Sequence, residues 1–165
     1  MAKQSSFDVV SQIDLQEVDN AVNQATKEIQ TRYDLKDSKT VIEFDRKDGC
    51  INVDSSSDFT LKSALDILST KAIRRGLSAK ALKQGDIVQG SLGSARVKVE
   101  LVQGISKDQA RVIVKHVKDA KLKAEVAIEG DKLRVSAKSK DALQEVIVRL
   151  KELDFEIPLQ FVNYR

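Results

Sequence analysis

The stretch TVIEFDRKDGCINVDS, residues 40–55, and its counterpart AEVAIEGDKLRVSA, residues 124–137, decide the fold. In each stretch, two runs of alternating apolar and polar residues flank a turn dipeptide, Asp48-Gly49 in the first and Gly130-Asp131 in the second. Alternation is typical of strands with one buried face, and these dipeptides accept the positive φ angles of tight hairpin turns. The spacing therefore predicts two hairpins, with strands over Thr40–Asp45, Cys50–Ser55, Ala124–Glu129 and Lys132–Ala137.

Each hairpin is preceded by a strand and a helix and followed by a helix and a strand. The first strand of the chain alternates Phe7 and Val9 with Asp8, which places Asp8 on the face opposite the core. Asp14 with Glu17, and Ser106 with Gln109, resemble capping boxes that begin helices. The closing strands are expected within Ala81–Gln89 and Leu159–Tyr164.

The two halves of the sequence repeat this order with matching apolar positions. Phe7 and Val9 correspond to Val99 and Leu101, and Ile51 and Val53 correspond to Leu133 and Val135. We therefore predict an α+β fold, a tandem of two ferredoxin-like (βαββαβ) α/β sandwich domains over residues 1–93 and 94–165. The stretch Gly90–Ser94 has the composition of a linker between them.

Composition excludes several classes of protein. The chain has 165 residues, with one cysteine and one histidine, too few for an internal disulfide or a Cys/His zinc site. It has no apolar run long enough to cross a membrane and no apparent signal peptide, so we expect a cytoplasmic protein that does not bind membranes. The formal charge is +3. It is unevenly spread, because residues 94–165 carry 15 basic and 11 acidic residues against 13 and 14 in residues 1–93.

Motifs for catalysis are missing. The sequence contains no phosphate loop of the G-x-x-x-x-G-K-[ST] type, no G-x-G-x-x-G after a strand and no H-E-x-x-H. The single histidine, His116, lies between Lys115 and Lys118 without a nearby nucleophile or carboxylate. We therefore expect no enzymatic activity, no catalytic residues, no metal and no cofactor.

The candidate binding residues combine one planar contact with several phosphate donors. Arg32, Tyr33, Asp34 and Lys36 cluster where the first helix ends, and they offer a fork of donors, a ring and an acceptor. Lys121, Lys123, Lys132 and Arg134 supply positive charge in the second half, the last two from a sheet face that helices leave open. A site between the halves would bring the two sets together. The alternative is structural, with Arg32 tying the helix end to its domain.

Base stacking of the kind used by RNA-recognition modules is not expected. Those modules place aromatic residues on their middle strands, and the corresponding runs here, Cys50–Asp54 and Lys132–Ser136, contain none. Aromatic residues make up only 4% of the chain. Binding must therefore depend more on phosphate contacts than on stacking.

Several motifs, in the same order along the chain, closely resemble the YajQ family of bacterial nucleotide-binding proteins. They are Ser6-Phe7-Asp8-Val9-Val10-Ser11, Arg32-Tyr33-Asp34, Gln103-Gly104-Ile105, Asp119–Lys123 and the closing run from Pro158 to Arg165. The resemblance implies two ferredoxin-like domains that could exchange their first strands. It also implies binding of a nucleotide, a cyclic dinucleotide such as cyclic di-GMP, or RNA, and no known catalytic activity. Leu35, Asp37 and Val102 depart from the family's pattern, so ligand selectivity could differ.

Two functions remain open from the sequence. The leading one is a non-enzymatic binder of a nucleotide, cyclic dinucleotide or RNA, tRNA included, that acts as a signalling effector on a protein partner. The other is a protein-interaction module whose basic residues meet an acidic partner and which has no specific nucleotide ligand.

Overall fold

The computed structural model describes residues 4–165, which form two compact units that are discontinuous in sequence. The first unit combines the chain up to Gln12 with Gln103–Arg165, and the second is Ile13–Val102. The chain thus leaves the first unit after Gln12 and returns to it at Gln103. The sequence boundary between residues 93 and 94 falls inside the second unit, and so does the linker-like stretch Gly90–Ser94.

The first unit contains four strands and two helices among the described residues. In chain order they are β1 (Ser5–Val10), α3 (Lys107–Asp119), β7 (Glu125–Glu129), β8 (Lys132–Ala137), α4 (Lys140–Glu152) and β9 (Gln160–Val162). The second unit contains α1 (Leu15–Thr31), β2 (Val41–Asp45), β3 (Cys50–Ser55), α2 (Asp58–Arg74), β4 (Leu82–Gln84), β5 (Val88–Gln89) and β6 (Ala95–Leu101). Mixed α+β content with antiparallel sheets agrees with the predicted fold class.

Each half of the sequence gives its first strand to the sheet of the other half. In the first unit the strand order is β7-β8-β1-β9, and in the second it is β2-β3-β6-β4, with β5 also paired to β6. All pairings are antiparallel. Strands β1 and β6 occupy the same interior position in their sheets, so the sheets share one order although the chain crosses between the units.

Local signals explain where the elements begin and end. Asp14 accepts hydrogen bonds from the backbone N–H groups of Gln16 and Glu17 at the start of α1. Ser106 and Gln109 form the predicted capping box at α3. Gly49 and Gly130 adopt φ of +66° and +62° in the hairpin turns, which only glycine enters without strain.

In the first unit, the motif around Phe7 contacts the motif that closes the sequence. Phe7 is fully buried and its ring lies 5.9 Å from that of Phe161 and 6.0 Å from that of Tyr164. The backbones of Ser6 and Arg165 exchange two hydrogen bonds, at 3.2 and 2.9 Å. These two motifs therefore hold β1 in its sheet.

Helices cover one face of each sheet and leave the other open. In β6 the buried residues Val97 and Val99 alternate with the exposed Arg96 and Lys98, as expected for a strand with one covered face. In β1, Asp8 lies on the face expected from the alternation, but it is only 1% exposed. Its carboxylate lies on the open side of the sheet, where neighbouring polar side chains cover it.

Candidate functional site

The predicted residues after α1 form a fixed turn, named here the Arg32 loop (residues 32–36). The N–H of Arg32 donates to the Glu28 carbonyl at 2.9 Å, and the N–H groups of Leu35 and Lys36 donate to the Arg32 carbonyl at 3.1 and 2.8 Å. Leu35 is 1% exposed and packs into the core of the second unit. A buried anchor and backbone hydrogen bonds hold the loop in one conformation.

Arg32 and Asp34 of this loop already bind each other. Arg32 Nε lies 3.0 Å from Asp34 Oδ1 and Nη2 lies 2.8 Å from Oδ2, a two-point pairing, while Nη1 lies 3.8 Å from Glu28 Oε2. The hydrogen bond from Arg32 lowers the pKa of Asp34, and the same bond raises the pKa of Arg32. A phosphate reaching Arg32 would therefore have to compete with Asp34.

Tyr33 and Lys36 are the exposed residues of the loop that form no ion pair within residues 4–165. Tyr33 is 89% exposed, and Lys36 Nζ lies 5.3 Å from the centre of its ring. An exposed ring beside a cation can contact a base on its face and a phosphate beside it. This pair has the planar and cationic groups that the sequence assigned to the loop.

A shallow depression of about 340 Å³ lies beside Arg32, on the surface of α1 and α2. Arg74 adds a second guanidinium to its lining, whereas Glu28 and Asp66 add carboxylates. On the same helix pair, Lys71 lies 3.2 Å from Glu28, and Arg75 binds Glu17 at 2.8 Å. Lys71 and Arg75 therefore pair with carboxylates of α1 and join the two helices.

The predicted donors Lys132 and Arg134 lie in β8 of the first unit, over Asp8. Arg134 Nε donates to Asp8 Oδ1 at 3.2 Å, and Lys132 Nζ lies 3.7 Å from Asp8 Oδ2. Arg134 Nη2 also lies 3.5 Å from Glu129 Oε2. Both cations are thus matched by carboxylates of their own sheet.

Asn163 completes the environment of Asp8, because its amide donates to Asp8 Oδ2 at 2.8 Å. Burial acts to raise the pKa of the Asp8 carboxyl, but the hydrogen bonds from Asn163 and Arg134 outweigh burial and hold that pKa below its ordinary value. Asp8 is therefore a buried carboxylate that binds β8 and the end of the chain to β1.

Lys121 and Lys123, also in the first unit, are exposed residues between α3 and β7. The N–H of Lys121 donates to the Lys118 carbonyl at 3.0 Å, in a turn that gives Lys121 a positive φ of 54°. Neither lysine forms an ion pair with any residue from 4 to 165. Of the predicted phosphate donors in this unit, they are the ones left available.

Sequence reasoning missed a cavity of about 530 Å³ in the second unit. We call it the serine cleft, and define it by the lining residues Lys39, Ser56, Ser91, Leu92, Ser94 and Arg96. Its signal was present as the serine run 55–57 and the stretch 90–94, which read as a linker. Their closeness in space is set by the sheet.

Two kinds of feature are absent from the described residues. No helix there is long and apolar enough to cross a membrane. No group of three or more histidine, cysteine, aspartate or glutamate residues in residues 4–165 could hold a metal ion.

Comparison with known proteins relates the whole chain to one family. The model of the family described as "Nucleotide-binding protein YajQ-like" matches residues 5–165. A protein of Chloroherpeton thalassium described as "Nucleotide-binding protein" is 49% identical over 165 residues, which is 100% of both chains. Proteins with the same description from Alkaliphilus oremlandii and Heliobacterium modesticaldum are 50% and 47% identical over 165 residues, covering 100% of this chain and 100% and 99% of their own. These names describe binding and name no reaction.

Proposed function

Since the chain belongs to the YajQ-like family of nucleotide-binding proteins, we propose that it binds a nucleotide and leaves it chemically unchanged. The ligand classes that fit are a mononucleotide, a cyclic dinucleotide such as cyclic di-GMP, and RNA such as tRNA. All three combine planar bases with phosphate. The proposal places this binding in the cytoplasm.

The observation that carries the proposal is the exposed ring and cation of Tyr33 and Lys36 on a rigid loop. Order in the free protein favours binding, because a loop that is already fixed loses little conformational entropy when the ligand arrives. Lys121 and Lys123 support the proposal as exposed cations without an ion pair in the described part of the chain.

Arg32, Asp34, Lys132 and Arg134 can contact a ligand only if their present ion pairs are broken or weakened. Arg32 would exchange Asp34 for a ligand phosphate, which frees Asp34 to accept a hydrogen bond from a base. Lys132 and Arg134 would add positive potential over the open face of the first sheet, reduced by Asp8. Among the eight residues, Tyr33, Lys36, Lys121 and Lys123 are therefore the ones we expect to contribute without rearrangement.

The protein would act as an effector, and ligand binding would change its association with a protein partner. We further propose that the two units are ferredoxin-like domains that have exchanged their first strands. The shared strand order of the two sheets supports that assignment.

Calorimetric titration of the full chain with GTP, ATP, cyclic di-GMP and tRNA tests the proposal. At least one should bind saturably, and chromatography of the mixture afterwards should recover the ligand intact. Arg32→Ala should weaken binding by about 1–3 kcal/mol if the guanidinium contacts phosphate, and Arg32→Lys should not restore it fully. Unchanged affinity in Arg32→Ala and Arg134→Ala, with unchanged melting curves, would place the site elsewhere.

A salt titration separates this function from that of a module that binds only proteins. Neutralising several phosphates makes the logarithm of affinity fall steeply with the logarithm of salt concentration. A steep slope with tRNA and a defined stoichiometry would support the proposal. Absence of any saturable nucleotide or RNA complex at low salt would overturn it in favour of the protein-interaction module.

A further inference from the structure

The serine cleft is built from three segments of the second unit that are far apart in sequence. Lys39 comes from the loop before β2, Ser56 from the turn between β3 and α2, and Ser91 and Ser94 from the turn before β6. Arg96 enters from β6 itself. Its volume of about 530 Å³ lies in the range of small-molecule sites, about 300–1,000 Å³.

A chain of hydroxyl groups holds two of these segments in place. Ser38 Oγ lies 2.6 Å from Thr40 Oγ1, which lies 2.9 Å from Ser55 Oγ, and Ser55 Oγ lies 2.6 Å from Thr60 Oγ1. The N–H of Ser56 also donates to the Ser38 carbonyl at 2.9 Å. Lys39 and Ser56 are each flanked in sequence by residues of this hydrogen-bonded hydroxyl network. Their backbones are therefore held in place before any ligand binds.

Lys39 has a φ of 55°, a left-handed conformation that is uncommon for residues other than glycine. The bonded neighbours Ser38 and Thr40 maintain it. Backbone strain of this kind is found preferentially at functional sites.

The third segment is a tight turn. The N–H of Gly90 donates to the Ser94 carbonyl at 2.8 Å, and the N–H of Ser94 donates to the Ser91 carbonyl at 3.1 Å. Leu92 in this turn is fully exposed and also left-handed, with a φ of 57°. A side chain at Gly90 would meet Ser94 Oγ, so it would require the Ser94 side chain to rotate away.

Gln89 joins the third segment to the second. Its amide nitrogen donates to Asp58 Oδ1, in the first turn of α2, at 2.6 Å. This bond links the turn before β6 to the start of α2. The walls of the cleft are thus connected to each other as well as to the sheet.

In contrast, the polar side chains that define the cleft form no ion pairs or side-chain hydrogen bonds with the described residues. Lys39 and Arg96 form no ion pair within residues 4–165. The hydroxyls of Ser56, Ser91 and Ser94 have no hydrogen-bond partner in that part of the chain. Two cations and three hydroxyl groups without a partner in residues 4–165 therefore line the same space. Asp54 is the one carboxylate in the lining.

A second depression of about 390 Å³ adjoins the cleft on the open face of the sheet and shares Asp54 and Arg96 with it. Glu43 and Asp86 add two further carboxylates, Lys98 adds a second cation beside Arg96, and Asn52 and Val88 add polar and apolar contacts. Carboxylates repel phosphate and accept hydrogen bonds from N–H groups. The two adjoining spaces therefore suit a ligand with an anionic end and an uncharged end that carries N–H donors.

We propose that the serine cleft binds the phosphate of a nucleoside monophosphate, whose base lies over the adjoining depression. Lys39 and Arg96 bind the phosphate oxygens, and Ser56, Ser91 and Ser94 donate hydrogen bonds to them. Glu43 and Asp54 accept from the amino group of the base. This inference rests on the proposed nucleotide binding and adds a second phosphate-binding space, separate from the Arg32 loop.

The test is a titration of the full chain with AMP and with GMP, followed by calorimetry and by the amide chemical shifts of residues 90–94. We expect a saturable complex that moves those amides. Arg96→Ala should lower affinity about tenfold or more, as expected for loss of a charge-assisted contact. Lys39→Asn should also lower it, since asparagine tolerates the left-handed backbone and removes the charge.

Lys83→Ala is the matched control, because Lys83 is an exposed lysine of the same sheet outside both spaces. It should leave affinity unchanged. The corresponding nucleosides should bind at least tenfold more weakly than the monophosphates. Equal binding of nucleoside and nucleotide, or an affinity that Arg96→Ala and Lys39→Asn leave unchanged, would overturn the inference while nucleotide binding itself stands.

If the proposed function itself is wrong, the titrations give a different result from the one that overturns only the cleft. If no nucleotide binds the parent protein, inorganic pyrophosphate remains a probe of the cleft alone. Saturable shifts at residues 90–94 that Arg96→Ala abolishes would support the cleft as a phosphate site. Absence of such shifts would overturn it.

Discussion

The two sheets have the same strand order but use the cations on their open faces in opposite ways. In the first unit, Lys132 and Arg134 lie over the buried carboxylate of Asp8. In the second, Arg96 and Lys98 project from β6 without an ion pair to any residue between 4 and 165. A cation beside a buried carboxylate stabilises the fold, whereas one without a partner is available to a ligand. The strand order alone therefore does not show whether a charged side chain stabilises the fold or is available to a ligand.

The largest expected effect comes from separating the halves. Residues 94–165 alone lack β1, which lies between β8 and β9, and retain β6, whose partners are in the other half. We expect this fragment to be unfolded or to aggregate, as judged by circular dichroism and amide spectra. A chain that joins residues 1–12 directly to 103–165 is the control and should fold cooperatively. Cooperative folding of 94–165 by itself would contradict the exchange of strands.

The next effect tests the role of Asp8. Asp8→Ala leaves Lys132 and Arg134 without their buried partner, so unfolding in urea should show a loss of about 1–3 kcal/mol. Lys98→Ala, on the open face of the other sheet, should change stability by no more than about 0.5 kcal/mol. Equal losses in the two variants would remove the distinction between the two faces.

A smaller effect is expected for the hydroxyl chain beneath the serine cleft. Thr60 Oγ1 lies 2.6 Å from Ser55 Oγ and 2.9 Å from Ser57 Oγ. Thr60→Val removes these hydrogen bonds and should cost about 0.5–1.5 kcal/mol in thermal or urea unfolding. Thr70→Val in the same helix removes only an exposed bond to the Asp66 carbonyl and is the matched control. A larger loss of unfolding free energy in Thr70→Val than in Thr60→Val would show that the row of hydrogen-bonded hydroxyl groups does not stabilise the loops.

The smallest effect is a pH dependence at Asp8. Because its pKa is lowered in the folded protein, its contribution is complete above the unfolded value of about 3.9. That contribution is lost as pH falls through the lower folded value. The difference in unfolding free energy between the parent and Asp8→Asn should therefore be constant near neutrality and shrink below about pH 4. A difference that grows on acidification would contradict the assignment of a stabilised carboxylate.

Neighbouring residues were enough to determine much of the secondary structure. The hairpin turns at Gly49 and Gly130 and the capping box of Ser106 with Gln109 were predicted correctly. So was the buried alternation of β8. These features depend on contacts between residues close in sequence. Such contacts can be predicted from hydrophobic periodicity and from the residue types at turns. The composition of the Arg32 loop was visible for the same reason, although its pairing of Arg32 with Asp34 was not foreseen.

Only the tertiary structure decided which strands pair and in which register. The matched positions of the two halves would place Val99 opposite Val53, as Phe7 lies opposite Val135, but Val99 lies opposite Ile51. A shift of two residues keeps every side chain on its face, so the apolar pattern cannot exclude it. The same long-range pairing buried Asp8 under Arg134 and brought residues 39, 56 and 91 around one cleft. The sequence by itself determined which face of each strand is buried. Only the sheet determined which strands and loops lie next to each other, because strand pairing joins residues that are far apart in sequence and leave no pattern among neighbouring residues.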